Sequence, residues 1–444
     1  MVHVPRAQGI RFAALALTGC LVMAALAQPC AGQDALEDLV ARATTIVWGQ
    51  VSGTESRWQS DERGRHIYTT VAISPVFASV KGQVQGPLSF EVVGGTVEGI
   101  TESASHVPAF HEGEEAVVFL TGDPVRLIAG RSGKVRVYDG RVYWAGSGLP
   151  VEAFLEGLDL IAAGRSAEPV WRREAQRRVR DVSAGRPVIH SITPDRASAG
   201  TDTAITLTGS NFGDAGTVEF SPGIAAAEVL SWTNERIVCT VPSGGGSGSA
   251  ESGPVTVTTS AGTSEGQIFR VTFGYGQVKW LGTSPTVRYY INENTPDCTG
   301  EADAVQRAAG TWQGGSGGAI CLEYAGSHEN TAPDLYNGRS EVMWGDTDSL
   351  ATAYCKYNPR TGGILECDIV FDDSYTWSVA DNCPSGSFDV ESVALHEFGH
   401  GLQLLDLYGD VGDGEYDGAK VMFGRIRSGA DKRDLHQDDQ DGVQ

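Results

Sequence analysis

One stretch of the sequence governs the fold around it: His396-Glu397-Phe398-Gly399-His400-Gly401-Leu402-Gln403-Leu404-Leu405-Asp406. Its two histidines are four residues apart, so on a helix both imidazoles project from one face, one turn apart. Two nitrogens at that spacing can hold one tetrahedral Zn²⁺. Glu397 lies about 100° around the helix from His396, where it can reach a water on the metal without being a ligand. The stretch predicts a metal-binding helix that also carries a catalytic base.

The flanking residues favour a helix. Ser387 is a candidate N-cap, and Asp389 and Glu391 place negative charge in the first turn, where the helix dipole favours it. Gly399 and Gly401 each cost about 1 kcal/mol of helix propensity relative to alanine. Tight packing, or the approach of a substrate backbone, explains glycine at these positions better than helix design does. Beyond the helix, Asp406 can turn back towards the metal.

Around this motif the chain resembles the metzincin endopeptidases, and within them the matrixins. The carrying segments occur in order over residues 275–444: Val287-Arg288-Tyr289-Tyr290-Ile291-Asn292 resembles the first strand, Ala302 to Trp312 the first helix, Asp368-Ile369-Val370-Phe371 the strand beside bound substrate, residues 396–406 the zinc motif, Lys420-Val421-Met422-Phe423 the Met-turn, and residues 435–443 the start of the C-terminal helix. The resemblance implies an α+β domain in which a twisted mixed sheet backs a first helix and a zinc-binding helix.

The same resemblance implies the site residues. It assigns His396, His400 and Asp406 as zinc ligands, Glu397 as the general base and Met422 as the methionine beneath the metal. Two positions depart from the family pattern: Gln403 stands where glycine is usual, and Asp406 where histidine is usual. A carboxylate oxygen is nevertheless an acceptable zinc ligand. The alternatives for the third ligand are Asp410, Asp413 and His436.

The implied activity is hydrolysis of peptide bonds in proteins or peptides by an exported zinc endopeptidase. A zinc-bound water would attack the scissile carbonyl, with Glu397 taking its proton and passing it to the leaving amine. The alternative is a binding or adhesive protein of the cell surface whose metzincin-like domain is inactive. Substrate preference, activation and oligomeric state cannot be predicted from the sequence.

The N-terminus predicts export. Arg6 and Arg11 precede an apolar run that ends in Ala25-Leu26-Ala27, which is typical of a secretory signal peptide over residues 1–27. Cleavage before Cys20, as in a lipoprotein, would divide the apolar run and is the less favoured alternative. No other stretch approaches 18 apolar residues, so we expect a soluble, secreted protein without a transmembrane segment.

Five of the eight cysteines lie in the C-terminal third, where export would permit disulfides. Spacing suggests one bridge between Cys298 and Cys321 and a second between Cys355 and Cys367, which would close a hairpin. Cys383 is then left over. Five cysteines allow 15 ways to form two bridges, so this connectivity is a hypothesis.

The chain is acidic, with 33 basic and 56 acidic residues and a formal net charge of −23. A surface of this charge argues against nucleic acid or an anionic membrane as a partner. The glycine-containing acidic segment from Gly409 to Asp417 suits structural Ca²⁺, although it lacks EF-hand spacing. The alternative is an acidic loop over the cleft.

Upstream of the metzincin-like region, alternating stretches with glycine-rich turns predict a mostly-β domain over residues 34–148, shaped as a small barrel. His106 and His111 lie in a predicted loop of this domain, and we interpret both as surface histidines. Residues 150–183 have a helical, arginine-rich pattern and predict a linker, or alternatively an arm that docks on the acidic domain.

Residues 187–272 resemble an IPT/TIG domain, an immunoglobulin-like β-sandwich. The carrying residues are Pro187-Val188-Ile189-His190-Ser191-Ile192-Thr193-Pro194, Ile205-Thr206-Leu207-Thr208-Gly209-Ser210-Asn211-Phe212-Gly213 and Val238-Cys239-Thr240-Val241-Pro242. Short strands separated by Gly, Pro and Asn turns predict a sandwich independently of the family. Such domains act as spacers or binding modules, so this fold alone does not define a function.

Overall fold

A computed structural model describes residues 36–444 except 62–63, 85, 123–124, 129–132, 139, 145–146, 172, 174–184, 222, 244–249, 334–336 and 410–415. The predicted signal peptide, most of the arginine-rich segment and most of the predicted calcium loop lie outside the described residues. The chain is strand-rich and multidomain, as predicted.

Within the described residues, the first part of the fold contains the following strands and helices. They are α1 (Leu36–Arg42), β1 (Thr45–Asp61), β2 (Gly64–Lys81), β3 (Leu88–Val93), β4 (Gly95–Val97), β5 (Ile100–Ala104), β6 (Glu115–Thr121), β7 (Arg126–Leu127), β8 (Lys134–Tyr138), β9 (Arg141–Trp144), β10 (Ser147–Pro150) and α2 (Val151–Ala162). Strand β1 pairs with both β2 and β6, so the order β1-β2-β3-β7-β6 closes on itself, and β8, β9 and β10 continue from β6. Strands β4 and β5 leave this sheet.

Helix α2 contributes to the core of this first unit. Val151, Phe154 and Leu158 are fully buried in one apolar cluster with Leu39 of α1 and Phe119 of β6. The amphipathic pattern of this segment therefore reflects packing against α1 and the sheet. In its packing, α2 belongs to the upstream unit and is not a solvated linker.

The second part is a sandwich of two sheets. Its strands are β11 (Val188–Thr193), β12 (Arg196–Ala199), β13 (Ala204–Ser210), β14 (Thr217–Phe220), β15 (Ile224–Ala225), β16 (Val229–Trp232), β17 (Arg236–Thr240), β18 (Gly253–Thr259), β19 (Gly262–Thr263) and β20 (Gln267–Tyr275). One sheet has the order β11-β13-β17-β16 and the other β12-β20-β18-β14-β15. Alternate residues of both sheets, among them Leu207, Val257 and Phe269, are fully buried between them.

The third part combines a mixed sheet with packed helices. Its elements are β21 (Thr286–Ile291), α3 (Glu301–Gly315), β22 (Cys321–Ser327), β23 (Ser340–Gly345), β24 (Ala351–Asn358), β25 (Gly363–Asp372), β26 (Trp377–Ser378), β27 (Phe388–Asp389), α4 (Val390–Gly401), β28 (Leu404–Leu405) and α5 (Gln437–Val443). The sheet order is β22-β21-β23-β25-β24, and only β24 is antiparallel among these five. The indole Nε1 of Trp312 in α3 donates to Leu395 O in α4 at 2.6 Å, which fixes the two helices together.

The strand expected beside substrate is not at an edge. Asp368–Phe371 lies in β25, which pairs with β23 on one side and β24 on the other. The prediction was wrong because the parallel order places the β24–β25 hairpin so that β24, and not β25, is outermost in this part of the chain. The outer side of β24 pairs with β5 from the first part.

One of the two predicted disulfides is present. Cys355 and Cys367 are directly opposite in the β24–β25 hairpin and are bonded, with Cα atoms 4.0 Å apart. Cys298, Cys321 and Cys383 are free thiols, so the Cys298–Cys321 bridge was wrong. Spacing along the chain cannot bring two thiols together: Cys298 precedes α3, whereas Cys321 begins β22 opposite Thr286.

The N-cap of α4 is Asp389, whose carboxylate accepts from Ser392 N at 2.9 Å, and not Ser387, which lies two residues before it.

Among the described helices, none has the length and apolar character needed to cross a membrane.

Candidate metal centre

Helix α4 is anchored at both ends. At its start, Arg433 contacts the Asp389 carboxylate through Nη2 at 2.6 Å and Nε at 3.0 Å, so the cap itself is held by a charged pair. At its end, Trp280 Nε1 donates to Gly401 O at 2.9 Å. Gln403 follows with φ 65°, a left-handed conformation that turns the chain out of the helix. These contacts fix the helix that carries His396, Glu397 and His400.

Backbone carbonyls orient both histidines of the motif. His396 Nδ1 lies 2.8 Å from Val421 O, and His400 Nδ1 lies 2.9 Å from Leu404 O. Because a carbonyl oxygen only accepts hydrogen bonds, each Nδ1 carries the proton and each Nε2 presents a lone pair. The two Nε2 atoms face each other at 3.1 Å. This is the arrangement in which outer hydrogen bonds prepare imidazoles as metal ligands.

Asp406 completes a triangle of ligand atoms. Its Oδ1 lies 3.2 Å from His396 Nε2 and 3.4 Å from His400 Nε2. This oxygen is buried and accepts no hydrogen bond of good geometry. Ligands on a tetrahedral Zn²⁺ at 2.0–2.1 Å are separated by about 3.3 Å, which matches the three distances. Three converging lone pairs, with one oxygen buried and unsatisfied, fit a metal cation.

The Met-turn packs directly beneath the helix. A Cβ added to Gly399 would lie only 2.2 Å from Met422 Sδ, so close packing requires glycine there. Asp439 of α5 holds the turn, since its carboxylate accepts from Val421 N at 2.8 Å and from Met422 N at 3.2 Å. The buried Met422 therefore supports the floor of the site.

The sandwich holds the segment that contains Asp406. Strand β20 extends out of the sandwich and pairs with β28, with Gly274 opposite Leu405 and Tyr275 opposite Leu404. Leu407, next to Asp406, is fully buried in the apolar core of the sandwich. Its amide donates to Met422 O at 2.9 Å, so Asp406 is fixed between the sandwich and the Met-turn.

His106 lies at this site, which corrects its interpretation as a surface residue. His106 Nδ1 is 3.0 Å from Asp406 Oδ2, and Nε2 is 3.4 Å from Glu397 Oε1. One ligand atom from each of His106, His396, Glu397 and His400 falls within 4.8 Å of the others. His111, in contrast, is exposed, as predicted.

The electrostatics of the site follow from its two carboxylates. Burial lowers the pKa of His106, but Asp406 and Glu397 outweigh it and raise that pKa to about 10. The pKa of His400 is raised by the same balance, mainly through Asp406. Burial opposes ionisation of Asp406 and Glu397, yet the neighbouring imidazoles lower both pKa values. A proton and a metal cation compete for the same lone pairs, and the same negative charge attracts both.

The other candidates for the third ligand do not join the site. His436 caps α5, with its side chain accepting from Asp438 N, in the capping box that Asp439 completes. Asp410 and Asp413 lie outside the described residues. Of the four candidates for the third ligand, Asp406 is the one that the described structure brings to His396 and His400.

The mixed sheet, the two packed helices and the two histidines above Met422 agree with the metzincin-like region that the sequence predicts. Residues 279–444 match the family model described as Matrixin, and residues 187–273 match the IPT/TIG domain. The resemblance predicted from the sequence is confirmed for these two regions: residues 279–444 are matrixin-like, and residues 187–273 are an IPT/TIG domain. No curated protein is significantly similar to the chain.

A solved structure gives a distant and partial likeness. It is an auxiliary nutrient binding protein from Bacteroides thetaiotaomicron VPI-5482, 18% identical to this chain, with a TM-score of 0.18. The match covers 22% of this chain and 24% of that protein, so the chain spans about a quarter of its length. A likeness this weak carries no argument about fold or function.

Proposed function

We propose that the protein is an exported zinc-dependent endopeptidase with His396, His400 and Asp406 as ligands and Glu397 as general base. The observation that carries the proposal is the convergence of the Nε2 atoms of His396 and His400 and the unsatisfied Asp406 Oδ1 on one point. The Matrixin match supports a peptidase family. Export is supported by the N-terminal sequence and by the Cys355–Cys367 disulfide.

Zn²⁺ bound by these residues would lower the pKa of a water and polarise a peptide carbonyl. Glu397 is buried on the same helix as the two histidines, where a carboxylate can serve as the proton acceptor for an attacking water. One oxygen of its carboxylate lies within 4.8 Å of a ring nitrogen of His396 and of His400, but Glu397 is not one of the three proposed ligands. Glu397 would accept the proton during attack and return it to the leaving amine.

The sheet supports a protein or peptide substrate. Strand β24 is the antiparallel outer strand of the peptidase sheet and lies beside α4. An extended polypeptide can add to such a strand through main-chain hydrogen bonds, which position a peptide bond without demanding one side chain. In the described state β5 holds this position, so an assay needs to include a form in which β5 has been released.

The alternative, an inactive binding protein, is favoured by one observation: β5 covers the edge where substrate would bind. The two functions differ in the need for Glu397. A binding protein does not need a base, whereas peptide hydrolysis does.

The test is casein hydrolysis by the zinc-loaded chain before and after limited tryptic digestion, with Glu397→Gln treated identically. We expect the digested wild type to hydrolyse casein and a chelator to stop it. Glu397→Gln should retain one zinc per chain and lose about 10²–10⁴-fold in rate. Comparable rates in both proteins would overturn the role of Glu397, and no hydrolysis by any zinc-loaded form would favour the binding protein.

A further inference from the structure

We propose that His106 is a fourth protein ligand of the metal site and that, together with β5, it holds the peptidase in a closed, latent form. The inference rests on the proposed function, because it concerns the regulation of that site. It assigns to the upstream β unit an inhibitory role in cis.

Strand β5 occupies the outer edge of the peptidase sheet. It runs antiparallel to β24, with Thr101 opposite Tyr357 and Ala104 opposite Tyr354. The ladder continues for one more residue, since Ser105 N donates to Ala353 O at 3.0 Å. The main-chain groups of β24 that would bind an extended polypeptide are thereby used by the chain itself.

A turn at the end of β5 directs His106 into the site. Val107 N donates to Ala104 O at 3.4 Å, and His106 adopts a left-handed conformation with φ 63°. Histidine is one of the few residues other than glycine that are enriched in this conformation. The turn stops the strand at the point where it reaches α4, and the imidazole lies among the proposed ligands.

The imidazole fills the space that an open catalytic site keeps for water. Its Nδ1 faces Asp406 Oδ2 at 3.0 Å, so a proton on Nδ1 leaves the Nε2 lone pair available. That Nε2 lies 3.4 Å from Glu397 Oε1, the atom that would otherwise face the water. With His396, His400 and Asp406, a fourth protein ligand gives the closed coordination of structural zinc sites, whereas catalytic sites keep one position open.

Ser105 blocks the base as well. Its hydroxyl donates to Glu397 Oε2 at 3.2 Å and accepts from Ala353 N at 2.9 Å. Ser105 and His106, two consecutive residues of the upstream unit, therefore lie against the two oxygens of Glu397 and leave no room beside it for a substrate carbonyl or a water.

Buried polar contacts anchor β5 to both units. Glu102 is 2% exposed, and its carboxylate contacts His66 Nδ1 at 2.6 Å and accepts from Ile67 N at 2.6 Å, both in β2. Burial lowers the pKa of Lys356 to about 8, and the Glu102 carboxylate, opposite it in the β5–β24 pairing, partly offsets this effect. Displacing β5 would expose or unpair these groups, so the closed form is held by more than the histidine.

The experiment uses X-ray absorption at the zinc edge on the full chain, which counts imidazole ligands directly. We expect three imidazoles in the wild type and two in His106→Asn. Asparagine tolerates the left-handed backbone at this position, so it removes the imidazole while keeping the turn. His111→Asn is the matched control, because this exposed histidine belongs to the same loop, and it should still show three. Circular dichroism and zinc stoichiometry check that each variant folds.

Casein hydrolysis by the same samples tests latency. His106→Asn should hydrolyse casein at least about tenfold faster than wild type or His111→Asn, because the fourth position is freed for water. Two imidazoles in the wild-type spectrum would overturn the ligand assignment, and this result needs no variant. Equal and measurable hydrolysis by undigested wild type, His106→Asn and trypsin-treated wild type would overturn the inhibitory role.

Failure of the proposed function gives a different result. If His106→Asn loses one imidazole but neither it nor the trypsin-treated wild type hydrolyses casein, the closed metal site stands and the peptidase function falls. If Glu397→Gln in the His106→Asn background abolishes a measured rate, the peptidase function stands whatever the spectrum shows. The spectrum and the rate thus test the two proposals separately.

Discussion

At the scale of single residues, some features of the site depend on neighbouring positions in the sequence and others depend on distant ones. His396, Glu397 and His400 lie on one helix, so their spacing alone predicts their neighbourhood. The tautomers of the histidines depend instead on Val421 O and Leu404 O, which are placed by the Met-turn and by β28. The sequence thus predicts which side chains of the helix form the site, whereas the fold determines which nitrogen of each histidine faces it.

Asp406 tests the third ligand. In Asp406→Ala we expect zinc affinity to fall by at least about 100-fold, since even partners outside the coordination sphere are worth 10–100-fold. Competition with a chromophoric chelator measures the loss, and the exposed Asp434→Ala serves as the control. Unchanged affinity in Asp406→Ala would move the third ligand elsewhere.

Gln403 tests the departure from the family pattern. Because its φ is 65°, any side chain there is strained, by about 1–2 kcal/mol for an L-residue. Comparison with alanine removes the contribution of the glutamine amide. We expect Gln403→Gly to be more stable than Gln403→Ala by about 1 kcal/mol in urea unfolding. The opposite order would show that the left-handed backbone is not retained in solution.

At the scale of elements, the Met-turn and the sandwich are joined by a buried lysine. Lys420 is 0% exposed, and its Nζ donates to Val271 O at 2.7 Å, to Thr272 O at 2.9 Å and to Asp417 Oδ1 at 2.9 Å. The sequence motif identified this lysine only as part of the Met-turn. Its partners in β20 lie about 150 positions away, and no spacing rule could predict them.

Lys420→Met would leave the Asp417 carboxylate buried beside an apolar side chain. Removing one partner of a buried ion pair typically costs 3–5 kcal/mol, and we expect a loss of about that size in the free energy of unfolding. Denaturant titration measures it. Lys279→Met is the control, since Lys279 is exposed and should change stability by less than about 0.5 kcal/mol.

Some elements could not be predicted because the residues that stabilise them are far away in the sequence. One is β5, a five-residue strand whose partner β24 belongs to another part of the fold. His106 is 290 positions from His396, and nothing in its own loop distinguishes it from His111. A short strand that ends two residues before a histidine is a weak signal in a sequence. Helix α4, in contrast, was predicted from its own residues, although its cap is Asp389 and not Ser387, and α3 was predicted from the family resemblance.

At the scale of the whole molecule, the proposed metal site is assembled from all three parts of the fold. The matrixin-like part supplies the helix, the sandwich holds the segment with Asp406, and the upstream unit supplies His106. The matrixin-like part therefore cannot be understood apart from the other two.

Leu407 tests this coupling, because it is fully buried in the sandwich although it belongs to the peptidase segment. Leu407→Ala should lower the free energy of unfolding by about 2–5 kcal/mol through the cavity it leaves. It should also weaken zinc binding, because Asp406 precedes it directly. Leu281→Ala, at a position 55% exposed, is the control. Normal zinc affinity in a destabilised Leu407→Ala would show that the two parts are not coupled.

The pairing of β5 with β24 has a consequence for the tendency of the chain to aggregate. An unpaired strand at the edge of a sheet is a template on which other chains can stack into fibres. A peptidase that binds extended polypeptides must keep such an edge, and so carries a standing risk of aggregating with its own copies. In this chain β5 covers the edge of β24 and so protects it from pairing with other copies. Any event that frees the edge for a substrate would also expose it to self-association.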